Sequence, residues 1–311
     1  MTWKQVWSIV LAGGDGQRVR SLATDRSGRP IPKQFWEFDG RRSLLSATLD
    51  RMGPLIPRRR AVPVVARDHH RWWRTEFHGL PDRNVVVQPA NRGTAAGVLL
   101  PLMRVIERDR NAVVVVLPSD HWVDDDETLR RSVATATAAV RDDSHRLVLL
   151  GMEPADGDDE YGWIVPRSIG APGLCAVEHF VEKPRADVCR RLRADGALVN
   201  SMIVVARAST LLNLFYLATP RLLWEFVKAH ENAEGDGLDS LYEFLPKQDF
   251  SRDVLEPLGD RLTVLPVPDC GWTDVGTPNR VARVRRTERG PLRVRTAVAG
   301  APRADEVSVR R

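Results

Sequence analysis

The segment VLAGGDGQRV, residues 10 to 19, constrains this chain more than any other. It ends the apolar run QVWSIVLA with three glycines in four residues, and Arg18 follows. A short apolar run stopped by glycine reads as a buried strand. Glycines placed directly after a strand let the backbone turn tightly and let a ligand lie where side chains would block it. Two phosphate loops are excluded. Counted from Gly14, the dinucleotide pattern GxGxxG has Val19 in its last place, and the Walker pattern GxxxxGK[ST] is absent. Two readings remain. One is a tight turn and nothing more. The other is a turn wrapped around a nucleoside triphosphate, with backbone N–H groups cradling the phosphates and Arg18 adding a charged fork.

The rest of the chain supplies a sheet for such a loop. AVPVVA (61–66), NVVVQ (84–88), NAVVVVLP (111–118) and RLVLLG (146–151) read as strands. SLLSATLDRM (43–52), the stretch 93–108 and a polar stretch near 127–140 have helical spacing. This alternation predicts an α/β sheet, mostly parallel, with its site at the C-terminal strand ends. In the second half, YGWIVP, LCAVEHFVEKP, NSMIVVA and RLTVLPVP are strand-like pieces on shorter loops, with helices expected near 185–194 and 207–230. The last residues, 286–311, are arginine-rich and poor in large apolar side chains, so a loosely held tail is expected after a domain of residues 1–285.

Charge narrows the function. The net charge is +5, and only five of 46 basic residues are lysines, so Lys33 and Lys183 inside motifs stand out. Many arginines are interleaved with carboxylates, and no zinc-finger spacing, RNA-binding aromatic motif or helix-turn-helix pattern accompanies them, which argues against nucleic acid and leaves a solvated charged surface, the plainer reading, or an anionic small substrate. No apolar run reaches membrane-spanning length, and MTWKQVWSIV does not have the pattern of a secretory signal. Cys175, Cys189 and Cys270 are scattered, so reduced thiols and a cytoplasmic location are expected.

The segment SGRPIPKQF (27–35) follows the glycine loop and places Lys33 after a proline. LAGGDGQRVR together with PKQF resembles the sugar-1-phosphate nucleotidyltransferases, and PKQF in particular resembles the mannose-1-phosphate guanylyltransferases. Five further segments follow in that family's order to about residue 283: QPANRGTAAGVLLPL, LPSDH, EYGWI, VEKP and NSMIVVARAST, and then GWTDVGTP closes the series. The resemblance implies a Rossmann-like three-layer nucleotidyltransferase fold with a mixed, mostly parallel central sheet. It implies nucleotide contacts from Leu11, Ala12, Gly13, Gly14, Gly16, Gln88, Asn91, Gly93, Thr94 and Asp120. Arg18, Lys33, Asp120 and Asp274 are the implied catalytic residues, and Gly162, Glu182, Lys183 and Asn200 the sugar-phosphate pocket.

The chemistry needs such groups. Both substrates are anions, so catalysis rests on in-line positioning and charge neutralisation. Asp120 and Asp274 with phosphate oxygens would make a Mg2+ site. Asp120 could instead cap the following helix, and Asp274 could hold a turn. His121 reads as structural, Tyr161 and Trp163 as core or pocket wall, and Arg92 joins the base-loop candidates. The expected substrates are GTP and mannose 1-phosphate. UTP or dTTP with glucose 1-phosphate, GTP with a heptose 1-phosphate, and a non-catalytic nucleotide-sugar-binding subunit are the alternatives. A homo-oligomer is allowed for, with the tail as a candidate contact. Two departures from the family stand out. About four extra residues, including Ser27, Gly28 and Arg29, lie between Arg18 and Lys33, and Met202 stands where the Asn-Ser-Gly segment has its glycine.

Overall fold

The structure, a computed structural model, describes residues 4–25, 27–38, 40–154, 159–168, 173–231 and 237–288. Its nine strands are β1 (Val6–Ala12), β2 (Ala61–Ala66), β3 (Val86–Gln88), β4 (Val113–Pro118), β5 (Leu147–Met152), β6 (Gly162–Pro166), β7 (Cys175–Glu182), β8 (Leu198–Arg207) and β9 (Thr263–Pro266). They form one sheet in the order β3-β2-β1-β4-β8-β5-β9-β7-β6, with β8 also touching β6. The helices are α1 (Leu44–Met52), α2 (His70–Trp73), α3 (Thr94–Arg108), α4 (Asp126–Asp142), α5 (Ala186–Ala194), α6 (Ala208–Ala218), α7 (Pro220–Glu231), α8 (Gly237–Phe244) and α9 (Pro278–Glu288).

Continuous apolar strands are those covered on both faces. In β4, Val113, Val115 and Leu117 face one core with α1 and α4, while Val114 and Val116 face a second core with α3, α6 and α7. The result is three layers. The α/β fold and mixed sheet expected from the sequence are observed. Parallel pairing, however, is concentrated in β3-β2-β1-β4 and in β5-β9; those are four parallel pairings against five antiparallel ones among the described residues. The balance shifts because β6 and β7 are joined by only eight residues, too few for a parallel crossover, and β8 inserts antiparallel between β4 and β5.

Two boundaries differ from the sequence reading. The helical stretch 207–230 splits into α6 and α7 at Pro220, which opens the second helix where its missing N–H does no harm. Helix α9 runs to Glu288, three residues into the expected tail, and the rest of the tail lies outside the described residues. Among the described residues, the three cysteines are buried free thiols, and no helix is long and apolar enough to cross a membrane.

Candidate active site

The glycine loop leaves β1 at the C-terminal edge of the sheet, and β4 ends beside it. Ser119, just past β4, donates to the Leu11 carbonyl from both its N–H (3.1 Å) and its Oγ (2.6 Å). That bond aligns Asp120 with the loop. Gly16 takes φ +57°, and a Cβ there would sit 3.1 Å from the Cβ of Lys33. Only glycine accepts both conditions without strain.

Lys33 is buried, and its Nζ lies 2.8 Å from Asp120 Oδ2 and donates to the Asp274 carbonyl at 2.6 Å. Three motifs far apart in sequence therefore converge on one ammonium. Backbone pairing sets this up. Trp122 and Thr273 form an antiparallel bridge, and Asp124 and Asp125 donate to the Cys270 carbonyl. The extra residues before Lys33 fold into a turn held by Asp25, whose carboxylate accepts from the N–H groups of Ser27 and Arg29, so the insertion leaves Lys33 in place.

The helix-capping alternative for Asp120 does not hold. Helix α4 is capped by Asp125, which accepts from the N–H groups of Glu127 and Thr128. Asp120 keeps a partly exposed carboxylate. Burial works to raise it, but Lys33 and His121 hold it below the usual carboxylate range. His121 is lowered by burial, against the pull of Asp120. Its Nδ1 accepts from Trp272 Nε1 (3.2 Å), so the proton of the neutral ring sits on Nε2, 3.6 Å from Asp120. Asp274 takes Tyr161 Oη (3.1 Å), the Gly276 N–H (3.0 Å) and Arg280 Nη1 (2.6 Å), all on Oδ1. Burial and Asp274 push the Tyr161 phenol well up, so it remains a donor. Arg18 is half exposed, pairs with Glu160, and would lie 3.1 Å from a Cβ at Gly276.

The base-loop candidates gather on the other flank. Gly93 has φ +89° and lies directly against the Gln248 carbonyl. Asn91 donates to Asp15 (3.2 Å) and accepts from the Gly93 N–H (3.1 Å). Gln88 directs its amide N–H to the Tyr242 hydroxyl (2.9 Å), and its carbonyl oxygen would lie 3.1 Å from a Cβ at Gly13. Arg92 and Thr94 are committed elsewhere. Arg92 donates to the carbonyls of Tyr242 and Glu243, and Thr94 Oγ1 joins Asp249 to the Phe250 N–H.

The sugar-phosphate candidates form a third group. Gly162 pairs with Glu182 across β6 and β7, and a Cβ on Gly162 would meet Glu182 Oε2 at 2.5 Å. That oxygen is buried and has no hydrogen-bond partner among the described residues. Burial and the nearby Asp249 push the Glu182 carboxyl up to about 7. Lys183 lies 3.5 Å from Glu182 and takes φ +48°. Asn200 holds Ser251 Oγ (3.2 Å) and the Met202 N–H (3.0 Å), so its amide shapes the wall. Tyr161 links this group to Asp274.

Sequence reasoning missed Gln34, which donates to the carbonyls of Ala12 (2.8 Å) and Gly14 (3.1 Å) and pins the glycine loop. Its place beside Lys33 in PKQF was the available signal. It also missed Arg280, Tyr242 and Ser251, whose roles arise from distant elements and left no local mark.

A model of the nucleotidyl transferase family matches residues 7–289. The chain belongs to that family. Among curated relatives, the chain is 31% identical over 281 residues to the xanthan biosynthesis protein XanB of Xanthomonas campestris pv. campestris, covering 88% of this chain and 58% of that one. It is 28% identical to the mannose-1-phosphate guanylyltransferase RfbM of Salmonella typhimurium, covering 86% and 56%. The chain thus spans a little over half the length of these curated relatives. A solved structure described as a mannose-1-phosphate geranyltransferase from Thermus thermophilus superposes with a TM-score of 0.76 at 30% identity, covering 90% of this chain and 79% of that one.

Proposed function

We propose that this nucleotidyltransferase joins GTP to mannose 1-phosphate, giving GDP-mannose and pyrophosphate. The observation that carries the transfer is the position of Lys33, held between Asp120 and the Asp274 loop at the mouth of the glycine turn. The choice of GTP and mannose 1-phosphate is supported by the name of the RfbM relative. A phosphate oxygen of the sugar phosphate attacks the α-phosphorus, and the bond to the bridging oxygen breaks as pyrophosphate leaves. The glycine-loop amides, Arg18 and Lys33 brace the triphosphate, and Glu182 accepts from sugar hydroxyls.

The carboxylates suit a hard cation. The bonds on Asp274 all fall on Oδ1, and Asp120 Oδ1 faces only His121 among the described residues, so each keeps an oxygen for Mg2+. Bound there, Mg2+ would neutralise phosphate charge. The test is pyrophosphate release, crossing GTP, ATP, UTP, CTP and dTTP with mannose 1-phosphate and glucose 1-phosphate, with and without Mg2+. Release confined to GTP with mannose 1-phosphate supports the proposal, and release with another pair moves the substrate. No release, with a nucleotide sugar still bound, points to a regulatory subunit. Arg18→Ala and Lys33→Ala should each slow the reaction about 100-fold, and a normal rate in both removes them from the mechanism. Calorimetry should show Mg2+ tightening GTP binding to the wild type but not to Asp120→Ala.

A further inference from the structure

The edge of the sheet opposite the glycine loop holds a cavity of about 730 Å³. Strand register creates it. Val113 pairs with Arg207, Leu147 with Ala206 and Val148 with Thr263, so the segments that lead into β4, β5 and β9 meet the end of β8 at one edge. Arg110, His145, Arg207 and Arg261 come from those four segments and line the cavity, and Ser209 and Thr210 line it from the first turn of α6. Asp120 follows the other end of β4, whose six residues span roughly 20 Å. The cavity therefore lies apart from the candidate active site.

No aspartate or glutamate lines this cavity. Among the described residues, no carboxylate pairs with Arg110, Arg207 or Arg261. Neighbouring acids are committed elsewhere. Asp109 accepts from Trp7 Nε1 (3.2 Å) and the Asn111 N–H (3.1 Å), while Asp143 accepts from the His145 N–H (3.1 Å) and pairs with Arg146 (3.3 Å). Three bonds fix the frame. The Ala208 N–H donates to the Ala112 carbonyl (2.9 Å), Arg207 Nη1 to the Asn111 carbonyl (3.0 Å) and Thr210 Oγ1 to the Ser144 carbonyl (2.6 Å). Arg207 Nε is buried with no hydrogen-bond partner among the described residues, so this guanidinium is not neutralised from the protein side.

We propose that this cavity is a second anion site, which takes a small molecule carrying phosphoryl groups. Guanidiniums are permanently charged, and their planar forks match phosphate oxygens in pairs. With no carboxylate among them, the three repel one another until an anion enters. The volume suits a small molecule rather than a lone ion. No Phe, Tyr or Trp lines the cavity, so successive bases of a nucleic acid would find no ring to stack on. The inference is independent of the nucleotide-sugar reading above.

The test is calorimetric titration with inorganic pyrophosphate of the wild type, Lys33→Ala and the double variant Arg110→Ala/Arg261→Ala. Both arginines are exposed, and their side chains make no hydrogen bond or ion pair to a described residue, so the double variant should keep the wild-type Tm. Lys33→Ala should retain one equivalent of bound pyrophosphate, the one held in this cavity. The double variant should bind that equivalent about tenfold more weakly or worse, with the initial rate of nucleotidyl transfer unchanged. Wild-type binding in the double variant, or loss of all binding in Lys33→Ala, overturns the proposal. So does sulfate bound as tightly as pyrophosphate, which would mean a general anion patch, or a short oligonucleotide bound more tightly than pyrophosphate and lost in the double variant, which would mean a nucleic-acid surface. A wild type inert in nucleotidyl transfer that still loses one pyrophosphate equivalent with the two arginines upholds this site and removes only the transfer reading.

Discussion

Glu182 shows how one residue couples the site to stability. Its side chain is 6% exposed, one carboxyl oxygen lacks a partner, and burial lifts it from 4.5 to about 7. The folded state therefore holds a proton that the unfolded chain releases near pH 4.5. Its stabilising contribution is complete below that value and is lost as pH rises through about 7. The loss amounts to about 3 kcal/mol. Glu182→Gln, which mimics the protonated acid, should gain about that much over the wild type between pH 4 and pH 8 in urea unfolding. A difference that stays flat with pH would show the carboxyl to be solvated. Lys33 shows the opposite limit, a buried cation kept by two oxygen partners, one of which sits in a motif more than two hundred residues away.

At the scale of elements, turns and helix starts carry the site. Helix α3 begins after Gly93, whose positive φ and closeness to Gln248 leave no room for a side chain. Gly93→Ala should lower unfolding stability by roughly 1–3 kcal/mol and weaken nucleotide binding, both measurable by denaturation and calorimetry. Wild-type values for both would mean that the loop relaxes freely. Left-handed backbone at Lys183 and Val275 marks two loop positions, and at Met202 an irregularity within β8, each in a segment singled out from the sequence. Those segments were legible because turn chemistry is local. The commitments of Asn200 and Thr94 were not legible, because their partners Ser251 and Asp249 lie in a segment without a motif.

At the scale of the molecule, the site joins the parallel half of the sheet to the antiparallel half. Lys33 and Asp120 come from the first half, and Tyr161, Glu182 and Asp274 from the second. A ligand that contacts both should stabilise the whole fold. At a hundred times its dissociation constant, GTP with Mg2+ should add about 2.7 kcal/mol, seen as a higher Tm in the wild type and a smaller rise in Lys33→Ala at the same concentration. An equal rise in both would place the nucleotide elsewhere.

By itself, the sequence determined the layered α/β plan, most strand positions, the glycine turn and the order of motifs. Periodicity, β-branched runs and glycine placement act through neighbours in the chain, so they can be read along it. Tertiary structure alone decided that β8 would enter antiparallel between β4 and β5, that Gln34 would pin the glycine loop, and that Met202 would be held by Ser251. Those outcomes depend on which distant groups meet once both faces of the sheet are covered, and burial then sets their hydrogen bonds and charge states.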